Sequence, residues 1–191
     1  MSRHISILLT SPKKNKPFAE GIKLVEGTDF SHIAVTWKNT RIDRRKVFEA
    51  VGAGTRNLKN TTFKKINNIK RIYRFEVPEE IGQESLEIVL EQYSIDVVGT
   101  SYGFKHIVGL LLMRVGNFLA KAIGSKKKFH NPYKDGKYSQ ICVEAAAYVL
   151  SLIKIKTPKE IEDYGLVEFE DWLKAVGGVR LEQERVDSIN K

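Results

Sequence analysis

The chain has 191 residues, 42% of them hydrophobic, a formal net charge of +9 and one cysteine. That length and apolar content suit one folded domain with its own core and argue against a disordered chain. The lone cysteine excludes an intramolecular disulfide framework and any cysteine-built zinc site.

In chain order, residues 4–9 read as a short strand. A loop with Pro12, Lys13, Lys14, Lys16 and Pro17 follows. Phe18, Ile22 and Val25 recur at helical spacing and predict a short helix over 18–26. Gly27, Asp29 and Ser31 mark a turn. His32-Ile33-Ala34-Val35-Thr36-Trp37 then alternates with period two, placing His32, Ala34 and Thr36 on one face. A returning strand is expected to end at Val51. Gly52-Ala53-Gly54 is read as the turn after it; without a Gly-Lys-Ser/Thr ending it is no phosphate loop. A third strand is expected from Lys70 to Val77, stopped by Pro78. Helices are expected at 79–93 and 104–123. A polar basic loop runs from Gly124 to Lys137. A further helix is expected at 139–154, then one or two short helices, and a polar tail that frays from about 179. No repeat or composition break divides the chain. The expected architecture is α+β, a single domain over 1–191.

The early apolar run Ile5–Leu9 is too short for a signal-peptide core. Lys105, His106, Arg114, Asn117 and Lys121 interrupt the most apolar helix, leaving too little to span a bilayer. These readings point to a cytoplasmic protein with no transmembrane segment. The basic residues are scattered along the chain, and nothing resembles an RNA-binding sheet motif or zinc finger. Most of the excess charge reads as a solvated surface. The rest leaves open a polyanionic partner, either nucleic acid or an anionic membrane surface.

Cys142 lies where a helix is expected to open, with Ser139 as N-cap and Cys142 at the third helical position. N–H groups in the first turn have no intrahelical partner, and the positive dipole end favours a thiolate there. The competing interpretation is a buried cysteine that only packs. His32 opens its strand on the less apolar face. If Asn39–Ile42 is a four-residue hairpin loop, Lys38 opposes Asp43 and His32 opposes Glu49. A carboxylate beside one imidazole nitrogen fixes the tautomer and leaves the other nitrogen free to take a thiol proton. A one-residue slip would separate them, and a cross-strand His–Glu pair without a catalytic task reads equally well.

Ser31-His32-Ile33-Ala34-Val35, then Val47-Phe48-Glu49-Ala50, and much later Cys142-Val143-Glu144 resemble the circularly permuted NlpC-type papain-like amidohydrolases, and among them the YiiX/YaeF-like group of bacteria and phages. In that group the histidine strand comes first and the cysteine helix last. The resemblance implies a permuted papain-like fold, a small antiparallel sheet packed against helices. It also implies Cys142 as nucleophile, His32 as base, Glu49 as orienting residue, and a substrate contact for Tyr102. The implied activity is cleavage of an amide (peptide, isopeptide or N-acyl) through a thioester. Acyl transfer stays open, because lecithin:retinol acyltransferase-like proteins share the layout. No metal or organic cofactor is implied, and a phage origin would put the protein in the virion or host cytoplasm. Two rivals remain at this level. One is a non-catalytic papain-like module whose basic surface binds nucleic acid or a host protein. The other is a redox sensor at Cys142.

Overall fold

The computed structural model describes residues 3–40, 44–51, 54–97, 101–133, 139–182 and 184–186, with the backbone alone for 54, 101, 102, 104, 106, 139 and 140. The main sheet is built from β1 (His4–Pro12), β2 (His32–Asn39), β3 (Arg44–Val51), β4 (Gly54–Lys59), β5 (Asn67–Glu76) and β8 (Val179–Arg180). Its spatial order is β4-β3-β2-β1-β5-β8, and every neighbouring pair is antiparallel. The helices are α1 (Pro17–Glu26), α2 (Asn60–Ile66), α3 (Gln83–Val97), α4 (Phe104–Ala122), α5 (Cys142–Ser151) and α6 (Leu166–Ala175). β6 (Ser101–Tyr102) and β7 (Ser139–Gln140) form a separate parallel pair. Among the described residues no helix is long and apolar enough to cross a membrane. The α+β class is therefore the observed one.

Period-two alternation explains the sheet's two faces. Ile5, Ile7 and Leu9 of β1, Ile33, Val35 and Trp37 of β2, and Phe48 and Ala50 of β3 join the main core with α5 and α6. Leu8, Ala34, Val47 and Ile72 face the other way, against Phe63 of α2 and Val186. Full burial of side chains such as Phe48 or Ile33 contributes roughly 1.5–3 kcal/mol each. Helix α5 is the central element. Its run Ala145-Ala146-Ala147 combines strong helix propensity with small side chains, so the backbone lies close on β2 and β3.

Local chemistry sets the boundaries. Pro17 opens α1 at the position where a missing N–H costs least, and Gly27 closes it in the left-handed region at φ 65°. The sequence reading placed the start of α5 too early. Ser139 lies in β7, Ile141 is the N-cap, and Cys142 is the first helical residue. The Glu144 carboxylate accepts a hydrogen bond from Ile141 N at 2.9 Å, half of a capping box. The stretch from about 179 begins as an edge strand on β5, and Val186 is buried at 1% exposure. The sequence reading also lacked the short helix α2, the strand β4, which begins where only a turn was expected, and the two-residue strands β6, β7 and β8.

The β2–β3 register also differs from expectation. Lys38 pairs with Arg45 and Asn39 with Arg44, so the connection is Thr40–Asp43 and not Asn39–Ile42. The loop keeps its four residues but sits one position later, because Asn39 extends β2. Glu49 then faces Ala34 across the strands. The offset is even, so His32 and Glu49 keep the same face and become diagonal neighbours within side-chain reach.

Candidate active site

Three elements bring three side chains together. His32 is the first residue of β2, Glu49 lies near the end of β3, and Cys142 begins α5. His32 Nε2 donates to Glu49 Oε2 at 2.8 Å. The Cys142 sulfur is the other group that acts on the imidazole, and it favours the ring's protonated form. With Nε2 committed to Glu49, Nδ1 is the ring nitrogen left for the sulfur. The His32 side chain is 12% exposed and that of Glu49 fully enclosed.

A fourth residue completes the arrangement. Arg56 on β4 lies directly opposite Glu49. Its Nε donates to Glu49 Oε1 at 2.7 Å and its Nη2 to the same oxygen at 2.6 Å. Each carboxylate oxygen therefore has a cationic or polarised donor, which is what a buried carboxylate requires. Burial works to raise the Glu49 pKa, but His32 and Arg56 outweigh it and hold the carboxyl below its ordinary value. Burial likewise works to depress His32. Contact with Cys142 and Glu49 overcomes it and raises the imidazole from 6.5 to about 9. The imidazole is therefore held in its protonated form at neutral pH.

Sequence reasoning missed Arg56, although a signal existed. Gly52-Ala53 is a two-residue connection with glycine first, the chemistry of a tight hairpin. Val51 pairs with Gly54, and continuing the strand from there sets Arg56 against Glu49. Ser31 was read as a turn marker and as the residue before His32 in its motif, with no role of its own. Its Oγ is buried with no hydrogen-bond partner among the described residues. Ser31 and Cys142 line the same cavity. Tyr102 lies in β6, and its side chain is outside the described residues.

That cavity, of about 450 Å³, lies between α1, α4 and the starts of α5 and α6. Ile22 and Val25 of α1, Leu110 and Leu111 of α4, Val143 and Leu166 give it an apolar lining. The size suits a small-molecule site. The backbone N–H of Cys142 is in the first helical turn and has no intrahelical acceptor.

The other histidines stand apart. His130 pairs with Asp163 at 2.6 Å. The ligand atoms of His130, Glu160 and Asp163 lie within 4.8 Å of one another and form a metal-capable group outside the cavity. Lys128 stands 3.6 Å from Glu160, so that group already has a cation beside it. His4 is on β1, 3.2 Å from Arg45 Nη2. His106 is on α4, with its side chain outside the described residues.

No protein-family model matches the chain, and no curated protein matches it.

Proposed function

We propose that the protein is a cysteine-dependent hydrolase that cleaves an amide bond through a thioester, on a permuted papain-like scaffold. The carrying observation is one imidazole held between a carboxylate and the chain's single sulfur, beside an apolar cavity. In this reading Cys142 Sγ attacks the carbonyl carbon as thiolate and forms the tetrahedral adduct. The Cys142 N–H, with Ser31 Oγ as second donor, bears the oxyanion. The His32 imidazolium gives its proton to the departing amine as the C–N bond breaks, leaving an acyl-Cys142 thioester. Water then attacks that thioester, His32 takes its proton, and the acid leaves with return of the sulfur. Glu49 keeps the ring oriented and favours its cationic form, and Arg56 keeps Glu49 ionised. The apolar lining supports a substrate whose apolar group lies next to the scissile carbonyl.

The test uses acyl p-nitrophenyl esters and acyl anilides of increasing chain length, read by nitrophenol or aniline release and by intact mass. The expected result is one acyl group on Cys142 that turns over in wild type and fails to form in His32→Ala. A folded protein whose thiol accepts no acyl group would sink the hydrolase reading. It would leave a papain-like binding module as the better account.

A further inference from the structure

Helix α4 presents the wrong face to water. Its buried positions include Gly109, Leu110, Met113 and Ala120. The exposed stripe is Val108, Leu111, Leu112, Val115, Phe118 and Leu119, at helical spacing. Phe118 is 71% exposed, and Ile123, just past the helix end, 81%. A monomer rarely leaves a contiguous apolar stripe of this kind in water without a use for it. Helix α1 adds to the same side of the molecule. Phe18 and Val25 are half exposed and line the Cys142 cavity together with Leu111 of α4. The rim of the cavity is therefore part of the apolar face.

Charge says what covers it. From Val97 to Lys134 the sequence holds no acidic residue, while Lys105, Arg114, Lys121 and Lys126-Lys127-Lys128 fall within it. Arg114 is spent inward, on Glu26 at 2.9 Å and Glu168 at 2.7 Å. Lys105, Lys121, Lys126 and Lys127 are exposed. The basic loop is also held in place. The chain doubles back along α4, where Phe129 N donates to Asn117 Oδ1 at 2.8 Å. Asn131 lies so close on Gly109 that a Cβ there would clash with its Oδ1. The segment that follows the lysines is thus anchored on the same helix that carries the apolar stripe.

We propose that the α1–α4 face docks onto an anionic phospholipid bilayer, with the apolar stripe in the headgroup–acyl boundary and the lysines on the lipid phosphates. Apolar residues flanked by lysine on an exposed helix are the signature of interfacial binding, and the cavity rim lies within the docked face. A nucleic acid has no use for the stripe, and a second copy of this chain would bring its own lysines against these.

The experiment is co-sedimentation of the full chain with vesicles of phosphatidylcholine alone and of phosphatidylcholine with phosphatidylglycerol, at low and high salt. The expected result is binding to the anionic vesicles that weakens with salt and is at least tenfold weaker on neutral ones. Lys121→Gln with Lys126→Gln and Lys127→Gln should lower affinity tenfold or more. Phe118→Asp should lower it on both vesicle types, and circular dichroism reports whether its fold is kept. Cys142→Ala should bind like wild type, so docking and thiol chemistry can fail separately. Four outcomes overturn the proposal. One is no vesicle binding by wild type. Another is binding unchanged by the lysine variant. The last two are a self-association in sedimentation equilibrium that Phe118→Asp disperses, and salt-sensitive oligonucleotide binding that it leaves intact, each with vesicles ignored.

Discussion

The His32–Glu49–Arg56 cluster and the α1–α4 face depart from ordinary folding chemistry in opposite directions. The first takes charge out of water, with Glu49 fully enclosed and His32 nearly so. The second leaves leucine, valine and phenylalanine in water. Buried charge is stable only where each oxygen and each proton has a partner, and here they do. Exposed apolar surface needs no such partner, since it forfeits burial without leaving a polar group unsatisfied. The cluster should therefore be sensitive to single substitutions and the face tolerant of them. Both meet at the cavity, which joins Cys142 to the exposed rim.

The largest effects should come from the thiol and its base. Cys142→Ala should abolish acylation outright, because no second cysteine exists. His32→Ala should slow alkylation by an electrophilic thiol probe at neutral pH by roughly 10²-fold or more, the usual scale of general acid–base assistance. Intact mass spectrometry against time reads both. An equal alkylation rate in wild type and His32→Ala would reduce the site to a packed cysteine beside a structural ion pair.

Glu49→Gln comes next. It keeps the side chain's shape but removes the charge that two donors share, and should cost about 1–3 kcal/mol in urea unfolding. Turnover should fall, though by less than in Cys142→Ala or His32→Ala, as for an orienting residue. Unchanged turnover would remove Glu49 from the machinery.

Stability should also depend on pH in a defined window. Folding raises His32 from 6.5 to about 9, so between those values the folded state holds a proton that the unfolded chain has released. The contribution is fully present below 6.5 and is lost as pH rises through about 9. Glu49, held low, works at the other end: its contribution is present above the ordinary carboxylate value and is lost as pH falls. Urea midpoints from pH 5 to 10 would show the alkaline loss, and Cys142→Ala should shrink it by removing one of the contacts that raise His32. A flat profile above 6.5 would contradict the ion-pair description.

Arg56→Ala should act more weakly. The Arg56 side chain is 40% exposed, so much of its pairing is screened and the stability cost should be about 1 kcal/mol. A few-fold loss of turnover is expected, with partial recovery in Arg56→Lys. In the α4 stripe, Leu112→Ser should change stability in lipid-free buffer by less than about 0.5 kcal/mol. A cost of several kcal/mol at Leu112 would mean that the stripe is packed in solution, and the contrast between the two regions would fail.

Much of this chain is legible from local pattern. Alternation at His32–Trp37 marked β2, helical spacing marked α1, and the apolar run marked α4 close to its observed Phe104–Ala122 bounds. These succeed because periods of two and of about 3.6 residues are properties of the backbone itself. Parity also survived the register error: the even offset left His32 and Glu49 on one face, whereas an odd one would have parted them. Local pattern could not place Ser139 in β7, because its partner strand at Ser101–Tyr102 is remote in sequence. Nor could it show that α4 turns its apolar stripe outward. A helix's periodicity says that one face differs from the other, and only the neighbours it meets decide which face they cover. Arg56 belongs to the same class. Its role depends on three strands lying side by side, and the enclosure that makes its charge matter to Glu49 exists only once the sheet has closed over it.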